Sequence, residues 1–330
     1  MSNKTIRAIG LSSGGLDSQL AICVLKAQGI EVEVITFDSP FYSPEASLKA
    51  SKQLDVKLHL IDFTEEIVGL VNNPPHGFGK YMNPCIDCHA LMFRRAGEIM
   101  VKKGFDFIFT GEVLNQRPMS QNRRSLGMVA KDSSFEDLVL RPLSAQLLEP
   151  TKPEREGWVD REKLLALSGR SRKPQFELAK QYGLKEYPTP AGGCRLTEPH
   201  YSKRLAELKS HEGLQDAHAL TMLRYGRHFR LSDDVKFILG RHADDNAKIE
   251  DLIRKNDIEL IPLDIPGPTG ILPQNATKEQ IAKAASILVS YIKYTSADTV
   301  TLKIKCGNDE YTIEANSMPT QQTDTLMIAK

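Results

Sequence analysis

Ile6-Arg7-Ala8-Ile9-Gly10-Leu11-Ser12-Ser13-Gly14-Gly15-Leu16-Asp17-Ser18 reads as a short apolar strand that breaks into a Ser/Gly turn and continues as a helix with an acidic residue near its start. Gly14 and Gly15 remove the Cβ atoms that would keep backbone N–H groups away from an anion, and Ser12, Ser13 and Ser18 add hydroxyl donors. Leu16, Leu20, Val24 and Leu25 form one apolar stripe on the helix, whose positive end points into the same space. The turn is therefore a phosphate cradle, and it has no lysine. A Walker loop needs Gly-Lys-Ser/Thr, whereas the order here is Gly14-Gly15-Leu16-Asp17-Ser18, which argues against a kinase-like or GTPase-like site.

Outward from this turn, apolar runs at 6–11, 32–37, 56–61, 105–110 and 138–140 alternate with helical patterns at 17–28, 45–54, 64–71 and 88–103. Such alternation predicts an α/β fold built on a doubly wound parallel sheet, whose ligands sit at the carboxyl ends of the strands. A helical stretch is expected over 160–183. The segment from Tyr187 to Cys194, with two prolines and two glycines, is too punctuated for regular structure. Polar helical residues at 201–224 precede strand patterns at 235–239, 258–262, 300–306 and 311–315, with a helix at 277–293. The expected organisation is a domain built on this turn over 1–185, a cysteine-bearing linker and helical segment over 186–224, and a smaller α+β domain over 225–330.

A chain of 330 residues has room for two or three cores, and 26% charged with 41% apolar residues is ordinary for a globular protein. The start reads as a strand and not as a signal segment, and no apolar run reaches the roughly 20 residues that span a bilayer, so a cytoplasmic protein with no membrane partner is expected. A net charge of +1 carries no global nucleic-acid signal, which leaves the question to local charge.

The 12–18 run resembles the SGGxDS signature of the PP-loop ATP pyrophosphatases, which split ATP between the α and β phosphates and transfer AMP to a substrate oxygen. That resemblance implies ATP at Ser12, Gly14, Gly15 and Ser18, and Mg²⁺ beside Asp17. Phe37, at the end of the second strand, falls where such enzymes place contacts to the adenosine, and it reads equally as a core residue.

Sulfur supplies the second constellation. Asn83-Pro84-Cys85-Ile86-Asp87-Cys88-His89 puts two thiols at a helix start, where the dipole favours thiolate and hence metal binding or nucleophilic attack. Cys194 follows Gly192 and Gly193, which let a bulky group approach. Three readings of these thiols stand side by side. A structural zinc site would use Cys85, Cys88, Cys194 and His89; a redox pair would use Cys85 and Cys88; a three-cysteine iron–sulfur site would leave one iron open to sulfide. Cys23 and Cys306 read as small core residues.

Together the turn and the thiols resemble the PP-loop tRNA thiouridine synthetases, over the first 200 residues. Asn83-Pro84-Cys85 is similar to the cysteine element of the 2-thiouridylases. Thr110-Gly111-Glu112 with Gln116, and Leu140-Arg141-Pro142-Leu143, resemble the ATP-binding core of the 4-thiouridine enzymes. Gly192-Gly193-Cys194-Arg195-Leu196-Thr197 resembles a shorter branch linked with a 4Fe-4S cluster. The resemblance implies that Gly111, Gln116 and Arg141 bind ATP and that Cys85, Cys88 and Cys194 hold the cluster, with zinc or no metal as the alternative. It also implies tRNA as substrate, 4-thiouridine ahead of 2-thiouridine, and sulfide, a sulfur-carrier protein or a cysteine desulfurase as sulfur source. Oligomeric state stays open.

The C-terminal region has its own resemblance. Arg224 to Leu231, Phe237 to Arg241 and Asp244-Asp245-Asn246 are similar to an NFACT-R module associated with RNA and ribosome quality control. Local charge points the same way: residues 151–204 hold twelve Lys/Arg against seven Asp/Glu. Arg170, Arg172 and Lys173 cluster there; Arg117, Arg123 and Arg124 cluster upstream; Arg224, Arg227, His228 and Arg230 interleave with Tyr225 and Phe229, a mixture suited to phosphate contact and base stacking. Two rival functions remain: an adenylating amide or amidine ligase acting on a small acid, and an RNA-binding quality-control factor with a remnant ATP site.

Overall fold

The computed structural model describes residues 5–189, 193–292 and 299–329. The chain divides into two compact units, Met1–Cys194 and Arg195–Lys330, so the segment 186–224 is shared between them.

The first unit is a five-stranded parallel sheet of β1 (Arg7–Leu11), β2 (Glu31–Asp38), β3 (Lys57–Asp62), β4 (Phe107–Thr110) and β5 (Val139–Leu140), in the order β3-β2-β1-β4-β5. Helices α1 (Leu16–Lys26), α2 (Glu45–Leu54), α3 (Thr64–Asn72) and α4 (Cys85–Lys103) fill the crossovers. Two further helices, α5 (Arg123–Asp132) and the single turn α6 (Lys152–Arg155), flank β5, and α7 (Lys173–Gln181) completes the unit. The sheet is the expected doubly wound one. Its central strands β1 and β4 are buried on both faces, and Ala8, Leu20, Leu25, Val34, Phe107 and Phe109 meet in one core. Because Leu11 pairs with both Ile35 and Thr110, the turns after β1 and β4 leave the sheet side by side. The strand order reverses between them, which is where such sheets hold ligands.

One expectation fails in this unit, and one helix is found that no expectation named. No single helix runs over 160–183: Leu165 and Leu167 donate backbone hydrogen bonds to Pro142 (2.9 Å) and Leu143 (2.8 Å), so an apolar run that suggested a helix is tied to the chain after β5, and helix is confined to one 3-10 turn at Arg161–Lys163 and to α7. Helix α5 was hidden in a stretch read as an arginine cluster. Its signals are the cap Asn122, whose Oδ1 accepts from Ser125 N at 2.9 Å, and the buried Leu126, Val129 and Ala130.

The second unit begins with α8 (Pro199–His211) and α9 (Ala217–Met222). A six-stranded antiparallel sheet follows, of β6 (Arg227–Ser232), β7 (Val235–Leu239), β8 (Ile258–Pro262), β9 (Gly270–Leu272), β10 (Thr299–Cys306) and β11 (Asp309–Asn316), ordered β11-β10-β8-β9-β7-β6. Helix α10 (Ala243–Glu250) follows β7, and α12 (Thr320–Leu326) follows β11. Helix α11 (Lys278–Val289) lays Ile281, Ala284, Ala285 and Leu288 onto Phe229, Phe237, Leu260 and Leu302 to form a separate core. Lys293 of the helix expected over 277–293 lies outside the described residues. Among the described residues no helix is long and apolar enough to cross a membrane.

Candidate active site

The turn after β1 folds on its own hydroxyls. Ser12 Oγ accepts from Gly14 N (3.2 Å), Ser13 Oγ accepts from Gly15 N (3.4 Å), and Ser18 Oγ donates to Gly15 O (2.8 Å). Gly14 has φ +70°, and a Cβ there would sit 2.1 Å from the Ala46 carbonyl carbon, so only glycine closes this turn against α2. No side chain caps the first turn of α1, which leaves its N-terminal end open to an anion.

Asp17 stands in that first turn with its side chain 16% exposed. Its Oδ2 accepts from Gln116 Nε2 at 2.7 Å and pairs with Arg172 Nη1 at 3.3 Å, while Oδ1 is buried with no hydrogen-bond partner. Gln116 is itself held by Gln175 Nε2, which donates to its Oε1 at 2.8 Å. An orphaned carboxylate oxygen beside an anion cradle is a fit for a hard cation such as Mg²⁺. Arg172 was expected on an RNA face and instead turns inward to Asp17; its neighbours Arg170 and Lys173 are exposed.

The loop after β4 joins this cradle to the sulfur pair. A Cβ on Gly111 would lie 2.5 Å from Ser18 N, so β4 ends in direct contact with the start of α1. The next residue, Glu112, is 5% exposed, accepts from Arg141 Nε at 2.9 Å and pairs with His89 Nδ1 at 2.9 Å. Burial pushes the Glu112 carboxyl up, but the Arg141 guanidinium and His89 outweigh it and hold it below the usual carboxylate range. Arg141 also donates to Leu126 O at 3.2 Å and is buried. Its guanidinium is thus used to position Glu112 and α5 and is not presented to the cradle as the ATP contact expected of it. Phe37 is buried too, its ring 4.5 Å from that of Phe63, and belongs to the core of the sheet edge.

Cys85 opens α4 and Cys88 lies one turn on, directly before His89. Buried Asn83 shapes the loop ahead of them: it accepts from Tyr81 N at 3.0 Å and donates to Cys85 Sγ at 3.1 Å. Burial pushes the Cys88 thiol well up, and Cys194, Cys85 and Asp87 push it further. The helix dipole was expected to favour thiolate at both cysteines; at Cys88 desolvation wins. That Cys194 acts on Cys88 places the third thiol within electrostatic reach of the pair, despite more than a hundred intervening residues. Among the described residues, no three His, Cys, Asp or Glu side chains converge closely enough to share a metal ion. Gly192 lies outside the described residues. Sequence reasoning missed Tyr42, whose hydroxyl is pushed up first by burial and next by the Cys88 sulfur; it stands on the loop after β2, where no motif marked it.

In the second unit, the arginine-rich stretch is mostly structural. Phe229 is fully buried between Phe237 and Tyr291, and His228 is buried with Nε2 donating to Tyr225 O at 2.9 Å, so neither stacks on a base. Arg230 is neutralised by Glu207 (2.5 Å) and Glu212 (2.8 Å). Arg227 lies 4.4 Å over the Tyr291 ring, and Arg224 is half-buried. The segments after β7 also work inside the unit: Asp245 accepts from Gly226 N (3.2 Å) and Arg241 Nε (2.5 Å), and Asn246 Oδ1 accepts from Thr269 N (3.2 Å).

A probable tRNA sulfurtransferase of Lactobacillus gasseri is 29% identical over 147 residues, covering 42% of this chain and 34% of its own length. A tRNA-specific 2-thiouridylase MnmA of Sulfurimonas denitrificans is 34% identical over 124 residues, covering 34% of this chain and 36% of its own length. The chain thus spans about a third of the length of the curated relatives it matches. A solved structure of a predicted subunit of tRNA methyltransferase from Methanocaldococcus jannaschii is 19% identical, covers 42% of this chain and 69% of its own, and has a TM-score of 0.31. Residues 4–146, which hold the cradle and the sulfur pair, match the thiamine biosynthesis protein (ThiI) family, and residues 226–327 match the NFACT protein RNA-binding domain family.

Proposed function

We propose that the chain is an ATP-dependent tRNA sulfurtransferase that makes 4-thiouridine. The observation that carries the proposal is the two-residue step at Gly111-Glu112: Gly111 touches the start of α1 beside Asp17, and Glu112 holds His89, the neighbour of Cys88. A nucleotide cradle and a pair of thiols are thereby set on either side of one short link. The ThiI match over 4–146 supports thiouridine synthesis, and the NFACT match supports RNA as the substrate class.

In this reading the triphosphate of ATP lies at the open end of α1, with Mg²⁺ on Asp17 and Arg172 as a second cationic partner. The uracil O4 attacks the α phosphorus, the bond to the β-phosphate oxygen breaks, and pyrophosphate leaves. The turn N–H groups and Arg172 stabilise the charge that develops there. Sulfur then bonds to C4 of the adenylated base, and AMP departs with the former carbonyl oxygen.

Cys85, Cys88 and Cys194 are proposed as the sulfur-handling set. Three thiols and no carboxylate are the donor chemistry of a 4Fe-4S cluster, which when bound would present a sulfide at its open iron. That no three such side chains group around a metal ion among the described residues favours one second reading, which needs no metal: a persulfide on one cysteine delivers the sulfur, and another thiol closes a disulfide that an external thiol must reopen.

The test is anaerobic purification followed by incubation with ATP, unmodified tRNA and sulfide, with mass analysis of the nucleosides. 4-Thiouridine, AMP and pyrophosphate in equal amounts are expected. Iron and acid-labile sulfide that vanish in Cys85→Ser support the cluster; an iron-free enzyme that is inactive with sulfide but active when a cysteine desulfurase with free cysteine supplies sulfane sulfur supports the persulfide. Unmodified nucleosides with an ATP-dependent ligation of a small acid would overturn the proposal in favour of an amide ligase.

A further inference from the structure

The second unit contains a cavity of about 390 Å³ that the proposed reaction does not use. It lies where the ends of α8 and α9 meet β7 and β9. Met222, Ile238, Ile271 and Leu272 give it apolar walls, which suit a flat ring. Lys236 of β7 also lines it, with a side chain only 9% exposed and an ammonium that has no hydrogen-bond partner. A Glu212 oxygen stands 3.7 Å away, and that oxygen already accepts from Arg230 at 2.8 Å. A buried ammonium with unused donors is costly unless something in the cavity accepts from it.

The remaining lining narrows what that something is. Glu212, Asp216, Asp233, Asp234 and Asp257 give five carboxylates, against Lys236 and Arg254 as the permanent cations, and Arg254 is spent on Asp216 at 2.6 Å. This balance repels a phosphate or carboxylate, while Lys236 repels a cation. A neutral ligand is required, with an apolar face, an acceptor for Lys236 and donors for the carboxylates beside it. Among nucleobases guanine places acceptors (O6 and N7) and donors (N1–H and N2–H₂) along one side of the ring system, and lysine is a common partner of its O6 and N7. Adenine offers the ammonium only ring nitrogens and offers a carboxylate only N6–H₂, against the O6/N7 acceptor pair and the N1–H/N2–H₂ donor pair of guanine.

We propose that this cavity binds a guanine base, with Lys236 on its acceptor edge and Glu212, Asp233 or Asp234 on its donor edge. The inference rests on the reading of this unit as an RNA-binding domain when the guanine belongs to single-stranded RNA; a free guanine nucleoside would bring the same chemistry. The experiment uses the full chain. Binding of guanosine, adenosine, cytidine and uridine is measured by titration at up to millimolar concentration, and binding of an all-uridine oligoribonucleotide is compared with that of the same oligomer carrying one guanosine. Guanosine is expected to bind at least tenfold more tightly than adenosine or uridine. The single-guanosine oligomer should outbind the all-uridine one, and Lys236→Met should abolish both preferences.

Methyl NMR gives a second readout that does not depend on the variant: guanosine should shift the Ile238, Ile271 and Leu272 methyls and leave those of the first unit unmoved. RNA binding without any guanosine preference, or a preference that survives Lys236→Met, overturns the inference and leaves the RNA reading intact. Guanosine binding that requires Lys236 in a protein that binds neither oligomer supports the pocket, assigns it to a free nucleoside and overturns the RNA reading.

Discussion

Glu112 keeps a negative charge where water is almost excluded, because Arg141 and His89 each hold one of its oxygens. Removing one partner of such a group leaves the others buried and uncompensated, so Glu112→Gln is expected to cost about 3–5 kcal/mol in urea unfolding. The sign of its pH dependence follows from the lowered carboxyl pKa. The stabilisation is present above the ordinary carboxylate value of about 4.3 and is lost as pH falls through the folded-state value, a slope that Glu112→Gln should remove. His228 works at higher pH. Burial, then Arg204 and Lys236, push its imidazole well down, so the folded unit holds it neutral. The unfolded chain protonates near pH 6.5, and the urea midpoint of the second unit should therefore decline as pH is lowered from about 7.5 to 5, less steeply in His228→Gln.

At the scale of elements, α7 changes the meaning of a charge cluster. Its start delivers Arg172 and Gln175 toward the Asp17–Gln116 pair, while Arg170 and Lys173 stay exposed. The three basic residues should therefore separate functionally. Arg172→Ala is expected to weaken ATP binding at least about tenfold, ~1.4 kcal/mol, with tRNA affinity little changed; Arg170→Ala and Lys173→Ala should do the reverse. Filter binding of tRNA and titration of a non-hydrolysable ATP analogue on the same preparations check this. Equal loss of both ligands in all three variants would contradict the assignment.

At the scale of the molecule, each unit has its own apolar core: one under the parallel sheet, the other between α11 and the antiparallel sheet. A core of that kind supports independent folding. The fragment 195–330 is expected to express as a soluble domain with one cooperative urea transition, matching one of two transitions of the full chain. A fragment without near-UV circular dichroism would show that it depends on residues 1–194.

The local pattern of residues determined the parallel sheet, the anion-binding turn and the pairing of two thiols at a helix start, because each depends on near neighbours: strand period, glycine freedom and helix polarity. The end of β4 meeting Ser18, Glu112 reaching both His89 and Arg141, and Cys194 coming within range of Cys88 depend on strand order and crossover, which bring together residues tens of positions apart or more. Charge misled for the same reason. Arg141 and Arg230 both look like ligands for an external anion until the fold places Glu112 and Glu207 against them, and Arg172 looks like part of a surface cluster until Asp17 turns it toward the cradle. Only the tertiary structure decides which charges are spent inside the protein, since a nearby carboxylate in a poorly solvated site outcompetes any distant phosphate.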